Sequence, residues 1–140
     1  MSTGQSLLAL GAVVILSFLA LNVNRVYVAS VTETTRFQHH LDAINYAQSL
    51  SDAVYAQSMN YAGIDSIFGA FNNVNSSSGR FAMRTAMGDS LYATIVFASQ
   101  TAVAEGVNGR MATIRVFERE GGQYRQLVES TATLIEMEDP

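Results

Sequence analysis

The chain contains no cysteine and no lysine, and its single proline is the last residue, Pro140. Without cysteine there is no disulfide framework, no thiolate nucleophile and no cysteine-based metal site. Without lysine, every cationic side chain is an arginine: Arg25, Arg36, Arg80, Arg84, Arg110, Arg115, Arg119 and Arg125. These are scattered and outnumbered by 12 acidic residues, for a net charge of −4. No electrostatic stripe for nucleic acid is visible, so no nucleic-acid partner is expected. Without an internal proline, nothing of that kind interrupts a helix before residue 58. The most informative absence is local: Met1 to Asn24 carry no charged side chain, and the next residue is Arg25. A secretory signal peptide places basic residues ahead of a short apolar core. Here nothing basic precedes the apolar run, and the run is longer than such a core.

What fills that stretch is Leu7-Leu8-Ala9-Leu10-Gly11-Ala12-Val13-Val14-Ile15-Leu16-Ser17-Phe18-Leu19-Ala20-Leu21. As a helix, 24 residues reach ~36 Å, enough to cross a ~30 Å hydrocarbon layer. Ser2-Thr3-Gly4-Gln5 reads as a capping box, with Ser2 as cap and Gln5 reaching back to the cap amide. A basic leader removed ahead of Met1 would account for the missing basic region and for a retained Met1 before Ser2. Residues 1–24 are therefore read as a helix held in a bilayer or in the core of an assembly that imitates one.

Asn22 and Asn24 are poor helix formers at the boundary of this segment. Beyond them apolar residues recur at Phe37, Leu41, Ile44, Ala47, Leu50 and Val54, the steps of three and four of an amphipathic helix. Residues 25–58 thus continue the first helix, which reaches about 50 to 58 residues against a globular mean of about 11–12. Residues 59–88 form a connecting region. Asn72-Asn73-Val74-Asn75-Ser76-Ser77-Ser78-Gly79 is turn chemistry, with a short helix over Ile64, Ile67, Phe68 and Phe71 before it. Residues 89–140 read as sheet. Ser90–Glu105 places Leu91, Ala93, Ile95 and Phe97 on one face, and Arg110–Glu120 does the same with Ala112, Ile114 and Val116. Asn108-Gly109 is read as the hairpin turn between them, with positive φ at Gly109. Gly121-Gly122 is read as a second turn, leading into a third strand over Gln123–Glu136. The expected fold is α+β: a long N-terminal helix whose Phe37–Val54 stripe packs against an antiparallel three-stranded meander.

The chemistry-bearing residues point away from catalysis. There is no P-loop, no Ser/His/Asp constellation and no HExxH, and no enzyme or cofactor is expected. His39-His40 are adjacent helix positions pointing ~100° apart, with no carboxylate four residues on, so a metal site is not expected there. Asn75-Ser76-Ser77 is a glycosylation sequon in an exposed loop, which makes Asn75, Ser76, Ser77 and Ser78 candidate modification positions. The acidic tail Glu136-Met137-Glu138-Asp139 reads as a solvated terminus. The spaced rings Phe37, Tyr46 and Tyr55 read as packing residues.

A long helix, apolar first and amphipathic later, followed by a loop and an antiparallel meander, resembles a type IV pilin or a relative in the type IV filament superfamily. The resemblance is architectural and covers nearly the whole chain. Met1 matches the Phe or Met with which mature members begin, and Ser2-Thr3 the small hydroxyl residue often found second. Gln5 stands where the family has a glutamate that is thought to pair with a neighbour's N-terminal amine. Asn22 stands where the family has a proline, and the C-terminal disulfide of many bacterial pilins has no counterpart. The resemblance implies a structural subunit of an extracellular helical filament, held in the inner membrane as a precursor and handled by an assembly machinery. It implies a removed leader, an N-methyl group on Met1, and identical subunits as partners. The assembly positions it points to are Met1, Gln5, Leu8, Gly11, Ala12, Val14, Leu16, Phe18 and Leu21. Small residues among them allow close helix approach. The alternatives are a non-polymerising single-pass membrane protein, such as a pseudopilin-like component of a secretion machine, and a membrane-tethered enzyme or sensor.

Overall fold

The computed structural model describes residues 2–136, without the side chains of Ser58 and Met59. Met1 and the tail residues Met137, Glu138 and Asp139 lie outside the described residues. The first helix, α1, runs Thr3–Ala56, 54 residues without interruption. Ser2 caps it, its Oγ accepting from the Gln5 amide at 3.3 Å. The chain divides into two units, residues 1–39 and residues 40–140.

In the second unit a 3-10 turn over Ser58–Gly63 leads to a short helix, α2, at Ile64–Phe68. The sheet has five strands rather than three. They are β1 (Phe81–Arg84), β2 (Ser90–Phe97), β3 (Thr101–Ala104), β4 (Val107–Glu120) and β5 (Gln123–Ile135), all antiparallel to their neighbours. β4 is the spine. β2 and β3 lie end to end along one edge, and β5 pairs along the other, so Ala112 faces Phe97 on one side and Ala132 on the other. The expected first strand, Ser90–Glu105, is broken at Ala98-Ser99-Gln100, where Arg110 Nε donates to the Ala98 carbonyl at 3.0 Å. β1, inside the stretch read as connecting, adds an outer strand by pairing Phe81 with Ala93 and Arg84 with Ser90.

The second hairpin turn stands where expected: Gly121 and Gly122 both have positive φ, 59° and 82°, as a type I′ turn requires. The first does not. Ala104 pairs with Val107, so the turn is Glu105-Gly106, and Gly106 rather than Gly109 has positive φ. The core decides this. A two-residue turn at Asn108-Gly109 would set Ile95 opposite Gly122, whereas the observed register sets Ile95 on Ile114 and Ala93 on Val116, all buried. Register follows the pairing of buried residues, and that outweighs a local turn preference.

Gly109 has a different reason to be glycine. A Cβ there would stand 2.5 Å from Val103 Cγ2 and 3.1 Å from the Leu134 carbonyl oxygen. Gly109→Val should therefore cost about 1–3 kcal/mol through overpacking rather than through positive φ. Thermal melting of the full chain checks this; an unchanged transition would show that β3 simply swings aside.

The core lies between the sheet and the last turns of α1. Ala43, Tyr46, Ala47, Leu50, Ser51 and Val54 of α1 are buried, with Ile64 and Phe68, against Leu91, Ala93, Ile95, Ala112, Ile114, Val116, Ala132 and Leu134. Ala47, Leu50 and Val54 were part of the expected stripe. Phe37 and Ile44 were too, but they are 65% and 42% exposed, and Leu41 is half-buried. Small residues at 43, 47 and 51 let the helix approach the sheet more closely than Phe37 or Ile44 would. The buried face is therefore rotated from the one drawn through the largest apolar residues.

Candidate functional site

The first unit has the most unusual surface of the molecule. Within it, Leu8, Val14, Leu16, Phe18 and Leu21 are 75%, 58%, 68%, 67% and 64% exposed. Leu7, Leu10, Val13, Ile15, Leu19, Val23, Val26 and Tyr27 are exposed as well. None of the most apolar 18-residue window is buried, and by length and composition the helix is able to cross a membrane. Soluble monomers rarely leave apolar surface of this extent in contact with water. Several hydroxyl groups of the first unit are satisfied by the helix itself. Ser17 Oγ donates to the Val13 carbonyl at 2.8 Å, and Thr32, Thr34 and Thr35 donate likewise to carbonyls four residues back. That arrangement suits an environment without water.

Gln5, Gly11 and Ala12 are also exposed. A Cβ added at Gly4 or Gly11 would meet nothing within 4 Å. No contact inside the chain therefore calls for glycine at either place, although glycine in a helix interior costs about 1 kcal/mol relative to alanine.

The loop before β1 is exposed at Asn72, Asn73, Asn75, Ser77 and Ser78, while Ser76 is half-buried. It is more tightly built than a plain connection. The Asn73 amide donates to the Gly79 carbonyl, the Asn75 amide to Asn73 Oδ1, and the Ser76 and Ser78 hydroxyls stand 3.1 Å apart. Arg80 anchors it, with Nη1 donating to the Val74 carbonyl at 2.8 Å and also to the Tyr124 hydroxyl. The guanidinium lies 4.4 Å from the Tyr92 ring centre and 5.1 Å from that of Tyr124, and the two rings meet edge to face.

Sequence reasoning did not single out Arg80, Tyr92, Arg119 or Tyr124. Residues 80 and 124 come together only through the sheet register. The one local signal was the alternation Arg115, Phe117, Arg119 along β4, opposite in phase to the buried Ala112, Ile114 and Val116.

Among the described residues one further feature is a groove with a charged lining. It is shallow, about 220 Å³, and is lined by Asp65, Gly69, Asn72, Ile95, Val96 and Phe97. Its carboxylate, Asp65, is bridged to Arg110 at 2.6 Å, and that hydrogen bond holds the Asp65 carboxyl below its usual range. The stabilisation is present above the ordinary carboxylate pKa and fades as the pH falls through the lowered one. Among the described residues no three His, Cys, Asp or Glu side chains stand close enough to hold a metal ion. His39 is half-buried and His40 exposed. No family model, curated protein or solved structure matches the chain.

Proposed function

We propose that the chain is the structural subunit of an extracellular, pilin-like helical filament, held in the cytoplasmic membrane before assembly. The observation that carries this reading is the apolar helix surface of Leu7–Leu21, exposed along its whole run while residues 40–136 contain a separate core of their own. Such a surface needs an apolar environment. Lipid supplies one, and copies of the same helix supply another. Burying a large apolar side chain is worth about 1.5–3 kcal/mol against water. Against lipid that gain vanishes, and association rests on close packing. Gly4, Ala9, Gly11, Ala12, Ser17 and Ala20 are the residues that permit it. Gln5 accepts a hydrogen bond from a neighbour's N-terminal amine in this reading, without the charge of a glutamate. The role is structural rather than catalytic, and the Asn72–Gly79 loop, with Asn75 as glycan acceptor, is the displayed surface.

Electron microscopy of the sheared cell-surface fraction tests this directly. Filaments containing the intact chain are the expected result. Recovery only from detergent-extracted membranes, with no filaments in the sheared fraction, would sink the reading in favour of a non-polymerising membrane protein.

A further inference from the structure

The two-layer body of residues 40–136 has two outward surfaces, and they carry opposite charge. The buried Leu91, Ala93, Ile95, Ile114 and Val116 identify the core side of the sheet. Alternation then sends Tyr92, Arg115, Phe117 and Arg119 to the other side. Arg84, opposite Ser90, joins them from β1, and Arg80 lies over Tyr92 and Tyr124. The Arg119 guanidinium is 5.7 Å from the Tyr124 ring centre. Among the described strand residues, the acid on this side is Glu129, opposite Arg115 and bridged to it at 3.1 Å. Arg80, Arg84 and Arg119 form no ion pair among the described residues. This surface is therefore positive, and its rings hold two of the guanidinium groups in place, which lowers the entropy lost when they bind.

The helix layer is the reverse. Residues 41–79 contain no arginine, lysine or histidine; their acids are Asp42, Asp52 and Asp65, of which Asp65 is already bridged to Arg110, so Asp42 and Asp52 give this layer its charge. Asp52 is exposed, away from the buried Leu50, Ser51 and Val54, and it accepts a hydrogen bond from Gln48 Nε2 at 3.1 Å. Asp42 is half-buried.

We propose that the arginine–tyrosine face of one copy docks on the acidic helix face of the next. Charge complementarity selects this occupant. Two sheet faces meeting, or two helix faces meeting, would set like charges together, whereas face to back sets arginine against aspartate. A contact between two different surfaces of one chain is heterologous and open-ended, the kind that builds a filament instead of a closed dimer. The proposal rests on the filament reading and gives it a second contact, separate from the apolar helix.

The absence of cysteine makes the test clean. Asp52→Cys and Arg119→Cys are introduced together in the full chain, which is treated with a thiol-specific bismaleimide in intact membranes and in sheared filaments. A ladder of dimers, trimers and higher species is expected, with no product from either single variant. In parallel, the Arg84→Glu and Arg119→Glu pair should reduce filament yield by about tenfold or more. Adding Asp42→Arg and Asp52→Arg should restore it. Filaments without a ladder would overturn the contact and leave the filament reading standing. A ladder in membranes without any filaments would do the opposite. Cross-linking of Arg119→Cys alone would mean that like faces meet, and would overturn the proposal. Filaments that the reversed aspartates fail to restore would overturn it too, and binding of the unaltered chain to heparin would then make this face a site for an anionic polymer.

Discussion

Val14→Asp should abolish filaments. Val14 sits in the middle of the uncharged run, 58% exposed, and in the proposed filament its surroundings would be other apolar helices. An unpaired carboxylate buried there costs several kcal/mol per subunit, and the same cost recurs at every position of a helical array. In lipid the charge at mid-helix costs about 2.5–3.5 kcal/mol on insertion scales, so some subunit should still reach the membrane. The folded unit should not notice the change, because its buried residues begin at Ala43. The expected result is a membrane-bound chain with an unaltered melting transition and no filaments. Normal filament yield would refute helix-on-helix assembly.

Ile114→Ala should have the largest effect on stability. Ile114 is fully buried, at the centre of β4, with Ile95 opposite on one side and Ser130 on the other. Truncating such a side chain costs roughly 2–5 kcal/mol, depending on how far the cavity collapses. For a unit of this size that lowers the melting temperature by at least about 8 °C. Phe37→Ala provides the contrast. Phe37 is the larger side chain, yet it is 65% exposed, so its loss should leave melting within about 0.5 kcal/mol of the unaltered chain. Calorimetry on the full chain distinguishes the two. Equal destabilisation by both variants would mean that Phe37 is buried after all.

Some of this was determined by sequence alone, and the reason in each case is local. The long helix follows from an unbroken apolar run, a capping Ser2 and the lack of proline, all of which act within a few residues. The inward faces of β2 and β4 follow from strict alternation, since a strand with one wet side has little choice about which residues it buries. Gly121-Gly122 is a turn because both φ values must be positive, and glycine permits that cheaply.

Other features depend on which distant segments meet. Asn108-Gly109 carries a strong turn signal, but pairing Ile95 with Ile114 required the chain to reverse three residues earlier. β1 has only four residues, too few to announce itself, and it exists because β2 offered an open edge. The helix stripe was drawn through Phe37 and Ile44 by size, whereas close approach to a sheet selected Ala43, Ala47 and Ser51. The arginine–tyrosine face was invisible for the same reason: Arg80 and Tyr124 are 44 residues apart in the chain. Local chemistry names a turn or a helix, but register is a property of two strands at once, and only the tertiary structure decides it.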